Sequence, residues 1–116
     1  MKILKLFNGK DGETHFKDTE IELKDGGPIG KLSELISATG VIFRETPADY
    51  DYDYHNAPAR QFIVMLDAGL EITVASGKKR IVKAGEVILV EDTTGHGHIS
   101  KALKNKPRKS IFIILD

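Results

Sequence analysis

The sequence predicts an all-β protein of about nine short antiparallel strands with at most one short helical turn. Gly69, Gly77, Gly85 and Gly95 lie eight, eight and ten residues apart. This spacing of turns is typical of β-sandwiches and β-barrels. Residues 70–74 alternate between apolar and polar side chains, the period of two expected of a strand with one buried face. These observations favour a closed or sandwiched antiparallel architecture.

The other strands predicted in the second half are continuous apolar runs at residues 62–66, 87–90 and 111–115. Runs of this kind indicate strands that are covered on both faces. Turn-forming residues separate the strands between 62 and 90, which predicts hairpin connections. These turns are Asp67-Ala68-Gly69, Ser76-Gly77-Lys78 and Lys83-Ala84-Gly85-Glu86.

The first half has a weaker pattern. Residues 2–7, 19–24 and 41–46 are predicted strands, and glycine-rich turns at residues 11–12 and 25–28 separate them. Leu32, Leu35 and Ile36 have helical spacing over a stretch long enough for one helical turn only. We find no linker and no internal repeat, so residues 1–116 are predicted to form one domain.

Composition excludes several classes of function. Lys and Arg number 17, as do Asp and Glu, and this neutral balance argues against a nucleic-acid or membrane-surface partner. The lysine-rich stretch 101–109 is interpreted as solvated turns and a lysine-protected edge strand. No cysteine is present, which excludes disulfides, thiolate metal sites and a cysteine nucleophile. The first residues carry no secretory apolar core, so we expect a cytoplasmic protein.

Three of the four histidines are candidate metal ligands. His96 and His98 are separated by one residue, and on an extended chain both imidazoles point to the same face. His55 is followed by Gln61 on a predicted neighbouring strand. Imidazoles combined with an oxygen donor suit Fe, Ni, Mn or Zn. The alternative is that His55 and one of His96 or His98 are hydrogen-bonded residues lining an ordinary pocket.

The order of strands and turns between residues 41 and 115 resembles a small single-domain member of the cupin superfamily. The first cupin motif carries His-x-His followed by a glutamate. Here His55 takes the first histidine position, Ala57 replaces the second, and Gln61 stands in place of the glutamate. The metal motif is therefore degenerate.

The second cupin motif resembles residues 84–96, where its first glycine is retained as Gly85. Strict spacing assigns its histidine to His96, while a shift of two residues assigns it to His98. Glu91 and Thr93 replace the motif's Pro and second Gly. The choice between His96 and His98 stays open at the level of sequence.

The resemblance implies a jelly-roll barrel that binds a small polar organic ligand inside it. It also implies a divalent metal ion, no organic cofactor, and dioxygenase, isomerase, lyase or decarboxylase chemistry. The replaced ligands leave two alternatives open, which are a metal-free ligand-binding or epimerase-like barrel and a non-enzymatic sensor domain. The resemblance further implies a homodimer, and the apolar strand at 111–115 suggests an edge that needs covering.

Two further residues are candidates for ligand binding. Arg44 follows the apolar run 41–43 and needs a partner, which would be a neighbouring acid or the carboxylate or phosphate of a substrate. Tyr54 shares strand parity with Tyr50 and Tyr52. On an extended chain these tyrosines either pack on the core or form a wall of the barrel mouth.

Overall fold

Two β-sheets enclose the core of the protein in the computed structural model, which describes residues 1–116. The strands are, in chain order, β1 (Lys2–Asn8), β2 (Thr14–Glu20), β3 (Lys24–Asp25), β4 (Lys31–Leu32), β5 (Ala38–Thr46), β6 (Asp51–His55), β7 (Gln61–Met65), β8 (Leu70–Val74), β9 (Lys79–Val82), β10 (Val87–Val90), β11 (His98–Ala102) and β12 (Arg108–Leu115). One sheet has the order β2-β1-β10-β7-β12-β5, and the other has the order β6-β11-β8-β9. Strands β3 and β4 form a separate two-stranded ribbon.

The predicted all-β jelly-roll class is confirmed, as a sandwich of two sheets. The structure has twelve strands, of which β3 and β4 contain two residues each. All pairs are antiparallel except β1 with β10, which is parallel. This pair joins strands far apart in sequence, so no local turn signal could reveal it. The run 111–115 lies within β12, between β7 and β5, and is therefore not a sheet edge.

Helical structure is limited to two 3-10 turns, at Gly27–Ile29 and Leu103–Asn105. The helical turn suggested by Leu32, Leu35 and Ile36 does not form, and Leu35 is fully exposed. A single turn with no buried face has no packing to offset the cost of helix nucleation. None of the helical segments has the length and apolar character that crossing a bilayer would require.

The core lies between the two sheets. Leu6, Met65 and Ile88 of the six-stranded sheet are fully buried, and Ile72 and Val82 of the four-stranded sheet are almost so. The alternation predicted for residues 70–74 is confirmed by the burial of every second side chain in β8. At one end of the sandwich the apolar packing gives way to a cavity between β6 and β11 on one side and β5, β7 and β12 on the other.

The entry into β11 depends on Gly97. This residue has φ +82°, in the left-handed region that side chains disfavour. A Cβ atom at this position would also overlap the backbone carbonyl of His55. Only glycine therefore allows β11 to approach β6 closely enough to bring His98 opposite His55.

We expect Gly97→Ala to destabilise the protein more than Gly77→Ala. Gly77 has a similar φ of +89° but open space where the Cβ would lie. Gly77→Ala should therefore show only the conformational cost of about 1–2 kcal/mol, whereas Gly97→Ala adds an overlap with backbone. Urea unfolding of both variants measures the difference, and equal losses would contradict this account of the β6–β11 approach.

Candidate functional site

The cavity at the end of the sandwich has a volume of about 420 Å³. This is near the lower end of the range for small-molecule sites, roughly 300–1,000 Å³. Its apolar lining includes Ile42, Ile63 and Phe112. Its polar lining consists of Arg44, Tyr50, Tyr52, His55, Asn56, Gln61, His98, Ser100 and Arg108. No Asp or Glu side chain lines the cavity.

His55 and His98 face each other across the wall formed by β6 and β11. The two residues are direct partners in the antiparallel register. Their ring centroids are 4.5 Å apart, and the ring planes are tilted by 56°. Both imidazoles line the cavity, so their ring nitrogens can reach a common ligand.

A buried carboxylate orients the His98 ring. The Nδ1 atom of His98 donates to Oδ2 of Asp92 at 2.5 Å, and the hydroxyl of Thr14 donates to the same oxygen at 2.8 Å. Asp92 is fully buried. Because Nδ1 donates to Asp92, Nε2 is the ring nitrogen of His98 that remains available to a metal ion or to a ligand proton.

His55 has the same tautomer for a different reason. Its Nδ1 atom lies 2.7 Å from the backbone carbonyl oxygen of Asp53, and a carbonyl can only accept, so Nδ1 carries the proton. Burial lowers the pKa of His55, the Asp53 carbonyl partly opposes this, and repulsion from His98 lowers the pKa further. His55 is therefore neutral at pH 7, with its Nε2 lone pair free.

A β-bulge determines which side chains of β6 reach the cavity. The register between β11 and β6 shifts between the pair His98–His55 and the pair Ser100–Tyr52. Tyr52 and His55 consequently lie on the same face although they are three residues apart, and their rings stack at 4.1 Å. A bulge of this kind reverses the strand parity that follows it. Tyr54 is therefore turned away from the cavity.

The structure brings together four of the six candidate residues: Arg44, His55, Gln61 and His98 all line the cavity. His96 and Tyr54 do not line it, and their rings stack on each other at 4.1 Å. His96 precedes β11, and its Nδ1 atom lies 3.4 Å from a carboxylate oxygen of Glu13. The left-handed Gly97 ends the strand parity that would have placed His96 beside His98.

Sequence reasoning missed Asp92, Ser100 and Arg108 as residues of the site. Asp92 holds His98, while Ser100 and Arg108 line the cavity. Arg108 lies within the basic stretch 101–109, which the sequence analysis interpreted as a solvated edge, yet its side chain is buried. The available signals were the position of Arg108 at the start of an apolar strand and the short separation of Asp92 from His98.

We expect His55 to make the stability of the protein depend on pH below neutrality. Its pKa is lower in the folded state than the usual 6.5, so the unfolded chain binds more protons as the pH falls. Stability should decrease from pH 7 through 6.5 and level off below the folded pKa. Melting curves between pH 8 and pH 5 should show a weaker decrease for His55→Asn. An unchanged pH profile in that variant would contradict the prediction.

No protein-family model and no curated protein sequence matches this chain. The solved structures include similar folds. The crystal structure of protein NMB1881 from Neisseria meningitidis is 18% identical, with a TM-score of 0.52 over 72% of this chain and 81% of that chain. A putative ethanolamine utilization protein Q from Salmonella typhimurium LT2 is 14% identical, with a TM-score of 0.45 over 99% of this chain and 95% of the other. The similarity to protein NMB1881 is one of fold alone.

Proposed function

We propose that the protein binds a small polar organic ligand in the cavity between the two sheets. The observation that carries this proposal is the pair of imidazoles of His55 and His98 in a shared cavity, where Nδ1 of each ring is hydrogen-bonded and Nε2 has no protein partner. Convergent polar groups on an otherwise apolar cavity are typical of small-molecule sites. Tyr52 stacks on His55 and adds an aromatic surface next to this pair.

We further propose that His55, His98 and Gln61 hold a divalent ion, one of Fe, Ni, Mn or Zn. The residues fit such an ion because imidazole ligands usually donate their other ring N–H to a carboxylate or a carbonyl, as both histidines do here. Gln61 is buried on the cavity wall and brings an amide oxygen. The ion would supply Lewis-acid or redox chemistry, in line with the dioxygenase, isomerase or lyase activity that the cupin resemblance implies.

The contact between His98 and Asp92 favours a second candidate function, a metal-free epimerase-like or isomerase-like barrel. A buried carboxylate that holds a neutral imidazole is also the arrangement of a general base. The three donors are all neutral, and Ala57 offers no side-chain donor where the cupin motif has a histidine. Weak attraction for a cation would leave His98 free to take a proton from the ligand.

A thermal-shift screen with two arms tests this proposal on protein without a histidine tag. One arm adds Fe(II), Ni, Mn or Zn alone, and the other adds sugars and carboxylic acids in the presence of EDTA. Bound ligands should raise the melting temperature of the wild type but not of His55→Ala or His98→Asn. Asn at position 98 keeps a donor for Asp92. His96→Ala is the matched control from the same His-Gly-His segment and should respond like the wild type.

The pattern of responses separates the candidates. A response to metal ions that depends on His55 and His98 supports the metal site. A response to organic ligands alone overturns the metal proposal and supports the metal-free barrel. No response of the wild type in either arm, or one that depends on His96, would contradict ligand binding at this cavity.

We propose that two copies of the chain associate through β5. Seven of the twelve large apolar side chains that are exposed lie between Ile29 and Phe43. Strand β5 is one of the two edges of the six-stranded sheet, and its backbone groups can pair with another strand. A second copy whose β5 runs antiparallel to the first would pair the backbone groups of both edges. It would also cover the exposed apolar side chains of both copies, because a two-fold interface is self-complementary.

Phe43→Glu should convert the dimer to a monomer. Phe43 is 77% exposed on β5, and a carboxylate there would be buried without a partner in the interface. Ile81→Glu is the control, because Ile81 is also exposed on an edge strand but belongs to the other sheet. Sedimentation equilibrium measures the mass, and a monomeric wild type at high concentration would refute the interface.

A further inference from the structure

The cavity wall opposite the histidines carries two arginines without anionic partners. The chain contains four arginines. Arg60 pairs with Glu91 and Arg80 pairs with Asp18, both at 2.7 Å and both outside the cavity. Arg44 and Arg108 line the cavity, and neither forms an ion pair. Arg108 is buried and Arg44 is half-buried, and the anionic partner that a buried arginine normally requires is missing at both positions.

Arg108 is the more deeply buried of the two arginines. It is only 4% exposed, and its Nε and Nη1 atoms have no hydrogen-bond partner. Burial lowers the pKa of Arg108, Tyr50 opposes this, and the charge of Arg44 lowers the pKa further. A buried cation beside a second cation lowers the stability of the fold unless an anion compensates it.

The arginines are held by contacts that leave their N–H groups free. The guanidinium carbons of Arg108 and Arg44 lie 5.0 Å and 5.2 Å from the centroid of the Tyr50 ring, and that of Arg44 lies 5.3 Å from the Phe112 ring. Cation–π contacts of this kind fix each guanidinium. They leave the N–H groups in its plane able to bind two oxygens side by side.

Two buried hydroxyls next to the arginines also lack partners. Thr46 pairs with Arg108 across β5 and β12, and Ser110 pairs with Arg44 in the same register. The hydroxyl oxygens of Thr46 and Ser110 are buried and without hydrogen bonds. This part of the sandwich is therefore rich in hydrogen-bond donors, and no carboxylate lines the cavity to accept from them.

We propose that the ligand of this cavity is a small organic anion, whose carboxylate or phosphate group is bound by Arg108 and Arg44. This inference rests on the proposed ligand-binding function and specifies its substrate class. The anionic group lies against the wall formed by β5 and β12, and the rest of the ligand extends towards His55 and His98 on the four-stranded sheet. The fork of the guanidinium suits both oxyanions, and a cavity of about 420 Å³ limits the ligand to the size of a small metabolite.

Melting curves with small anions test this assignment on the full chain in EDTA. The probes are malonate and succinate, each against its diamide, together with phosphate and sulfate, all at one ionic strength. We expect the anions, and not the diamides, to raise the melting temperature of the wild type. A stronger effect of the dicarboxylates identifies a carboxylate ligand, and a stronger effect of phosphate identifies a phosphorylated one.

Arg108→Met should abolish the response to anions. Without any anion it should be at least as stable as the wild type, because a buried unpaired charge is replaced by an apolar side chain of similar length. Lys109→Gln is the matched control, since it removes one positive charge from the adjacent, exposed position of β12 and should respond like the wild type. Arg108→Lys keeps the charge but loses the fork, and its affinity for the anions should fall at least tenfold.

Two results would overturn the inference. One is an anion response that Arg108→Met or Arg108→Lys retains in full, and the other is a wild type that responds no more to anions than to the diamides. If neutral sugars still raise the melting temperature in a manner that depends on His55, the proposed ligand binding stands and only the anionic class falls. If no small molecule has any effect, both proposals fail.

Discussion

The hydrogen bond between Asp92 and His98 is the interaction on which the site depends. It joins the loop after β10 to the first residue of β11, and the hydroxyl of Thr14 ties β2 to the same carboxylate oxygen. The loop before β11, the first residue of β11 and the distant strand β2 therefore meet at one buried group. Because Asp92 fixes the tautomer and orientation of His98, the register between β6 and β11 can place the second imidazole, His55, against it. This contact serves a metal ligand and a general base equally, because both need the Nε2 atom of the imidazole to be held in a fixed direction.

The two walls of the cavity have opposite hydrogen-bonding character. The histidine wall, on the four-stranded sheet, presents the Nε2 atoms of two rings whose Nδ1 atoms are already hydrogen-bonded. The arginine wall, on the six-stranded sheet, presents N–H groups of Arg108 that have no acceptor. Each wall belongs to a different sheet, so the packing of the sandwich sets the distance between them. A ligand that places its acceptor atoms against the arginine wall and its donor atoms against the histidine wall can bind in one orientation only. A cavity with the same polar groups on both walls would not impose this orientation.

Much of the fold could be predicted from the sequence, because period-two alternation and glycine-marked turns are local signals. The site could be predicted only in part. Strand parity places Tyr54 and His55 on opposite faces, but the bulge in β6 puts Tyr52 on the face of His55 instead. The positive φ of Gly97 likewise keeps His96 away from the cavity that His98 lines, and the sequence His-Gly-His does not reveal this backbone conformation. Arg108 belongs to a basic stretch, and its burial follows from the packing of one sheet on the other, which no local pattern encodes.

A few buried polar atoms have no hydrogen-bond partner in the protein. Most of the chain satisfies its polar atoms, as the ion pairs of Arg60 and Arg80 show. The exceptions include one oxygen of Asp92 behind the histidine wall and the Arg108 guanidinium on the opposite wall. Arg108 brings a buried positive charge to the six-stranded sheet, and no carboxylate lines the cavity to compensate it. A bound molecule whose negative end faces Arg108 would compensate this charge, and its other end would lie towards His98. The Nε and Nη1 atoms of Arg108, which the fold leaves without partners, are thus the ones that a ligand in this orientation would use.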